Sequence, residues 1–213
     1  MSLTGPELAP ASGHVKHLVL FLHGLGSDGE DLIGLADALD LPDTQFVSPN
    51  APFPCDMAPY GYQWFSLQDR GPEAMAAGVQ QAAPRLNAFI DVQMARFGVA
   101  ASQVALVGFS QGSMMSLYCA PRRKETLAGV VAISGAMIGA ETLDAELKSR
   151  PSICLIHGTY DNVVPFVAMQ AAQTTLKAHG IPVESHARPG LGHGIDEAGI
   201  GIMSAFLKRC FTR

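Results

Sequence analysis

The sequence predicts an α/β fold with a mainly parallel sheet and helices on both faces. Three observations lead there. Six short apolar runs recur along the chain, longer amphipathic stretches separate them, and several of the runs lack the apolar/polar alternation of a half-exposed strand. Continuous apolar runs suit strands covered on both faces. Strands that alternate with helices imply parallel neighbours joined by right-handed crossovers.

The strand-like runs fall at residues 17–22, 45–48, 104–108, 129–133, 153–156 and 183–187. The first and fifth are closed by His-Gly, at His23-Gly24 and His157-Gly158, the second by Pro49, and the fourth by Ser134-Gly135. The third runs directly into Ser110. Helices are expected over 29–39, 72–97, 111–120, 165–179 and 195–211. The first carries Leu32, Leu35, Ala36 and Leu39 at helical spacing, and the second carries Leu86, Phe89, Ile90 and Met94. Pro84 is expected to bend or restart the second helix. Residues 50–71 fit neither pattern, with three prolines and the aromatics Phe53, Tyr60, Tyr62, Trp64 and Phe65. A loop this long inside a compact domain is uncommon and is often functional. Covering the sheet and lining a substrate site are both open to it.

With 213 residues and 48% hydrophobic composition, the chain suits one domain spanning 1–213. Residues 1–14, rich in Pro, Gly and Ser, are expected to be flexible. Charged residues make up 15%, scattered in sign, with a net charge of -5. That leaves no electrostatic footprint for nucleic acid or an anionic membrane surface. The longest weakly polar run, 127–138, is far short of the roughly 20 residues that span a bilayer. A soluble, cytoplasmic protein is expected, a trimmed leader peptide remaining compatible with the sequence. Cys55, Cys119, Cys154 and Cys210 match no C-x-x-C or zinc spacing and read as free thiols.

The sharpest local signal is Gly108-Phe109-Ser110-Gln111-Gly112, a G-x-S-x-G placed where a strand ends and a helix begins. A serine at such a turn is held in a strained, exposed position, and small residues two before and two after let the chain pack that tightly. The turn also puts the Gln111 N–H at a helix N-terminus, where unpaired donors can hold an oxyanion. A serine hydroxyl needs a base within hydrogen-bond reach, and the chain order for this turn is serine, acid, histidine. Asp161 follows the fifth strand, and His193 sits in the glycine-rich Pro189-Gly190-Leu191-Gly192-His193-Gly194 after the sixth. All three lie beyond the carboxyl ends of strands, where open parallel sheets bind ligands.

Other acids and histidines read differently. Glu141, Asp144 and Glu146 suit a solvated surface, and Asp196 a helix N-terminus. His179 ends a helix before Gly180, and His186 lies within a strand. His14 and His17 begin the chain. His157 ties a strand end to the next loop. The loop Leu22-His23-Gly24-Leu25-Gly26-Ser27-Asp28-Gly29 suits a second oxyanion donor, with His23 as a brace.

Together these pieces resemble the phospholipase/carboxylesterase family of α/β-hydrolases, which includes the acyl-protein thioesterases. The likeness rests on Leu22-His23-Gly24-Leu25-Gly26, Pro49-Asn50-Ala51-Pro52, Gln63-Trp64-Phe65, the Ser110 motif, and the loops of Asp161 and His193. It is nearest to the bacterial members, with Ser27-Asp28-Gly29 followed by Glu30-Asp31-Leu32. The resemblance implies Ser110, Asp161 and His193 as a triad, and the backbone N–H groups of Leu25 and Gln111 as the oxyanion hole. It also implies an apolar acyl groove near Trp64 and Phe65. The chain departs from the family at Ser113, often a second glycine, and lacks a tryptophan that eukaryotic thioesterases carry after the first glycine loop. The implied activity is cleavage of small acyl esters or thioesters, with no metal or organic cofactor, by a monomer or homodimer. A peptidase and a non-catalytic binding module are the rival uses of such a fold.

Overall fold

The computed structural model describes residues 3–212. Its centre is a seven-stranded sheet, order β1-β3-β2-β6-β7-β8-β9, from β1 (Glu7–Leu8), β2 (His17–Leu22), β3 (Thr44–Val47), β6 (Val104–Phe109), β7 (Gly129–Ile133), β8 (Ser152–Gly158) and β9 (Val183–Arg188). Every pairing is parallel except that of β1, which runs antiparallel to β3. The α/β-hydrolase architecture expected from the sequence is therefore present. β4 (Phe53–Pro54) and β5 (Tyr62–Gln63) form a separate hairpin inside the 50–71 segment.

Alternating side chains of β2 divide the apolar residues into two cores. Leu18, Leu20 and Leu22 face a layer made by α2 (Pro72–Phe97), α3 (Gln111–Arg122) and α5 (Val167–Ala178). Val19 and Phe21 face the other side, covered by α1 (Glu30–Ile33), the 3-10 turn at Gly34–Ala38, and α6 (Glu197–Phe211). Such fully enclosed side chains stabilise the fold by about 1.5–3 kcal/mol each relative to exposure. One further short helix, α4 (Leu143–Glu146), precedes β8.

Three expectations need correction. Residues 3–14 are not a loose extension: the carbonyls of Thr4 and Pro6 accept hydrogen bonds from Asn50 and Ser48, and Glu7 and Leu8 pair with Val47 and Phe46. Residues 1 and 2 of the segment expected to be flexible lie outside the described residues. The helix expected over 29–39 breaks after Ile33 into a 3-10 turn. α2 neither stops nor restarts at Pro84 and runs 26 residues, about 39 Å at 1.5 Å per residue. Its ends are set by Pro72 in the first turn and by left-handed Gly98, whose N–H returns to the Met94 carbonyl.

Candidate active site

The site is built where β2, β6, β8 and β9 end. Ser110 joins β6 to α3 with φ 53° and ψ −115°, a backbone conformation that L-residues rarely adopt. Its N–H donates to the Ile133 carbonyl of β7 at 2.9 Å, which helps hold the turn. The flanking glycines are sterically required. A Cβ on Gly108 would sit 2.4 Å from the Gly112 carbonyl oxygen, and one on Gly112 would sit 1.9 Å from the Leu22 carbonyl oxygen. Ser113, where the family often has glycine, is enclosed, and its Oγ has no hydrogen-bond partner among the described residues.

The structure brings Ser110, Asp161 and His193 together. Ser110 Oγ is 3.0 Å from His193 Nε2, and His193 Nδ1 is 2.8 Å from Asp161 Oδ2. The Phe109 ring lies against the imidazole, centroids 4.9 Å apart. Asp161 Oδ1 accepts the Val163 and Val164 amides, each at 2.9 Å. Burial pushes the Asp161 carboxyl up, but the His193, Val164 and Val163 hydrogen bonds to its charged form outweigh that and hold its pKa below the ordinary value. Because Asp161 is ionised and acceptor-only, His193 Nδ1 carries the proton and leaves Nε2 free to face Ser110. The His193 loop can approach β8 because residue 158 is glycine: a Cβ there would lie 2.3 Å from the carbonyl oxygens of both Leu191 and Gly192.

The loop after β2 brings Leu25 to the same cavity as Ser110. Among the described residues, neither the Leu25 nor the Gln111 backbone N–H has an acceptor. His23 braces this loop: Nδ1 donates to the Gly24 carbonyl at 2.7 Å, and Nε2 accepts the Ala51 amide at 2.9 Å. Burial lowers its pKa, in keeping with that neutral double role. The Gly26 N–H donates to the Tyr62 carbonyl, and Tyr62 N–H to the Ser27 carbonyl, so the β4-β5 hairpin fixes the far side of the loop.

Ser110 and His193 line a cavity of about 490 Å³. Its apolar wall is made by Leu67, Met75, Phe109, Met114, Ala136, Val163, Val164, Pro165 and Ala168, with Ser27, Asp31 and Arg70 supplying polar groups. Trp64 and Phe65 are not in that wall, contrary to the groove implied for them. Both are enclosed in the core, at 0% and 2% exposure. Their backbone is clamped by the Gln111 side chain, which accepts the Trp64 N–H at 2.8 Å and donates to the Phe65 carbonyl at 2.7 Å. The Trp64 indole donates to the His23 carbonyl at 3.1 Å. This pair supports the site from beneath, and the neighbouring Leu67 faces the cavity instead.

Away from the site, Cys154, Glu184 and His186 bring ligand-type atoms within 4.8 Å of one another on β8 and β9. Both Glu184 oxygens are already bonded to Arg209, at 2.8 and 2.9 Å, so this grouping works as an ion-pair network on the edge strand. No described helix is long and apolar enough to cross a membrane.

The sheet order, the serine at the strand-to-helix turn and the carboxylate–imidazole–hydroxyl chain define an α/β-hydrolase. A model of the phospholipase/carboxylesterase family matches residues 3–211, and the chain belongs to that family of carboxylic ester hydrolases. Carboxylesterase SOBER1 of Arabidopsis thaliana is 30% identical over 208 residues, covering 91% of this chain and 90% of its own. A probable carboxylesterase of Oryza sativa subsp. japonica, Os04g0669500, is 29% identical over 220 residues, covering 97% and 82%. The crystal structure of esterase PE8 superposes with a TM-score of 0.95 at 42% identity, covering 99% of this chain and 100% of that one.

Proposed function

We propose that the protein hydrolyses small acyl esters or thioesters through an acyl-enzyme on Ser110. The observation that carries this reading is the continuous chain from Asp161 Oδ2 through His193 to Ser110 Oγ, at 2.8 and 3.0 Å, opening on an apolar cavity. In the proposed reaction His193 Nε2 takes the Ser110 proton as Oγ attacks the acyl carbonyl. Asp161 keeps the proton on Nδ1 and stabilises the imidazolium. The Leu25 and Gln111 amides receive the tetrahedral oxyanion; losing one such donor typically costs about 3 kcal/mol. The leaving alcohol or thiol collects its proton from His193. Water then attacks the acyl-enzyme by the same proton path. The sequence of steps requires no metal or organic cofactor.

The acyl chain would extend along Met75, Met114, Val164 and Ala168, an apolar wall that favours a hydrocarbon over a peptide. The two cores share one sheet, which supports a single domain. The test is fluorophosphonate labelling read by intact mass, beside turnover of p-nitrophenyl esters of increasing chain length. One adduct on Ser110, with turnover lost in parallel and absent in Ser110→Ala, is expected. A folded protein that neither labels nor turns over would overturn the reading and favour a binding module.

A further inference from the structure

The triad acid has one neighbour that the proposed chemistry does not use. His157 closes β8 and is 1% exposed, and its Nε2 lies 2.8 Å from the Val164 carbonyl oxygen. A carbonyl only accepts, so Nε2 carries a proton. The same Nε2 is 3.3 Å from Asp161 Oδ2, the oxygen that also receives His193 Nδ1. Asp161 Oδ2 is thus hydrogen-bonded to His193 and lies 3.3 Å from the His157 nitrogen, whose own hydrogen bond goes to the Val164 carbonyl, while Oδ1 takes two loop amides.

We propose that His157 is a positioning residue for the triad acid, its Nε2–H shared between the Val164 carbonyl and Asp161 Oδ2. The inference rests on the Ser110–His193–Asp161 reading above. Two consequences follow from the geometry. The shared N–H ties the carboxylate to the loop that carries it, so Oδ2 stays aimed at His193. It also withdraws electron density from Oδ2, which weakens the hold of Asp161 on the His193 imidazolium. Among the described residues, the titratable groups facing Asp161 are His157 from β8 and His193 from the loop after β9. Phe166, just before α5, adds only an apolar ring edge-on to His157, centroids 6.0 Å apart.

The test compares His157→Leu with His157→Gln, whose side-chain amide can place a donor near the Nε2 position. Ester hydrolysis is followed across pH beside thermal unfolding. In His157→Leu, kcat should fall by about tenfold, the scale of one hydrogen bond to a charged group. KM should stay within about twofold, since ground-state binding is not touched. The ascending limb of kcat/KM should move to higher pH, because His193⁺ then faces a more basic carboxylate. His157→Gln should recover most of both. A folded His157→Leu with wild-type kcat and an unmoved limb overturns the proposal. Equal losses in both variants with an unmoved limb also overturn it, leaving His157 as packing alone.

Should neither variant fold, nitrogen-15 spectra of the otherwise unaltered protein decide. A protonated His157 Nε2 whose resonance moves in Asp161→Asn supports the contact, and an Nδ1-protonated ring refutes it. Turnover surviving in Ser110→Ala would remove the underlying triad reading instead. The His157 resonances would still report whether the contact with Asp161 exists.

Discussion

Replacing Gln111 by leucine should destabilise the protein far beyond a surface change. Leucine is close in size, so the cavity cost is small. The loss lies in the two hydrogen bonds to the 64–65 backbone, at 2.8 and 2.7 Å, in a place with no exposed surface. The Trp64 N–H and Phe65 carbonyl are then buried without partners, at about 1–3 kcal/mol each, or roughly 2–6 kcal/mol together. For a chain of this size each kcal/mol moves Tm by about 2–4 °C, so a fall of roughly 4–24 °C is expected. The chain's single tryptophan is Trp64 itself, so its fluorescence reports the clamped segment directly. Urea unfolding followed by that fluorescence and by far-ultraviolet circular dichroism should shift to lower midpoint with coincident curves. A parallel fall in kcat would report movement of the Gln111 amide. A variant melting within about 2 °C of the parent would refute the clamp, since no partner loss this size fits inside that shift.

Other expectations concern the site and its walls. Gly158→Ala places a Cβ 2.3 Å from two carbonyl oxygens of the His193 loop, so kcat should fall severalfold or more while Ser110 remains in place, checked by ester kinetics and crystallography. Ala168→Leu adds bulk to the apolar cavity and should shift the chain-length profile of p-nitrophenyl esters toward shorter acyl groups; Trp64→Phe, lying outside the cavity, should lower Tm without that shift. Asp161 has a depressed folded pKa, so its contribution to stability is present above the unfolded value, about 3.9, and is lost as pH falls through the folded value. Thermal melts between neutral and acid pH should therefore fall more steeply below about pH 4 for the parent than for Asp161→Asn.

The parts of the fold written in local signals were legible in the sequence. α2 begins at Pro72 and ends before Gly98, and both ends follow from what those residues do to a helix. Ser110 was legible because its turn demands Gly108 and Gly112 within five residues. Asp161 and His193 followed from chain order and from their place after strand runs. The cavity wall was not legible, because Leu67, Met75, Met114 and Ala168 come from separate segments that share no pattern. The β1 strand escaped notice because two residues, Glu7 and Leu8, show no periodicity. Trp64 and Phe65 were assigned to the groove by the resemblance alone, and a family likeness does not say which way a side chain faces. One clue was available at Gly78: a Cβ there would sit 2.7 Å from the Phe65 ring. A glycine inside a long helix signals such close approach, and it places Phe65 under α2, away from the cavity.

The site also has an internal gradient of rigidity. Ser110 sits at the end of β6, which is paired on both sides, by β2 and β7, with Leu18, Val19, Leu20, Phe21 and Leu22 of β2 fully buried. That support holds a backbone strained by about 1–3 kcal/mol in an uncommon conformation. His193 belongs to a different regime. Its loop follows β9, an edge strand bonded only to β8, whose residues are partly or wholly exposed. The loop is fastened by a few bonds to the segment after β8, from Tyr160 N–H to the Leu191 carbonyl and from Gly190 N–H to Thr159 Oγ1. Freeing residues 183–194 exposes little apolar surface compared with opening the centre of the sheet, so it should cost much less than global unfolding. On heating, His193 should therefore leave Ser110 before the Ser110 turn gives way. Amides of β9 and the His193 loop should exchange with solvent well ahead of those of β6. Ester turnover should fall reversibly at temperatures where Trp64 fluorescence still reports a folded core. Equal exchange protection in β9 and β6, with activity lost only at the global transition, would mean that the edge strand is held as firmly as the centre.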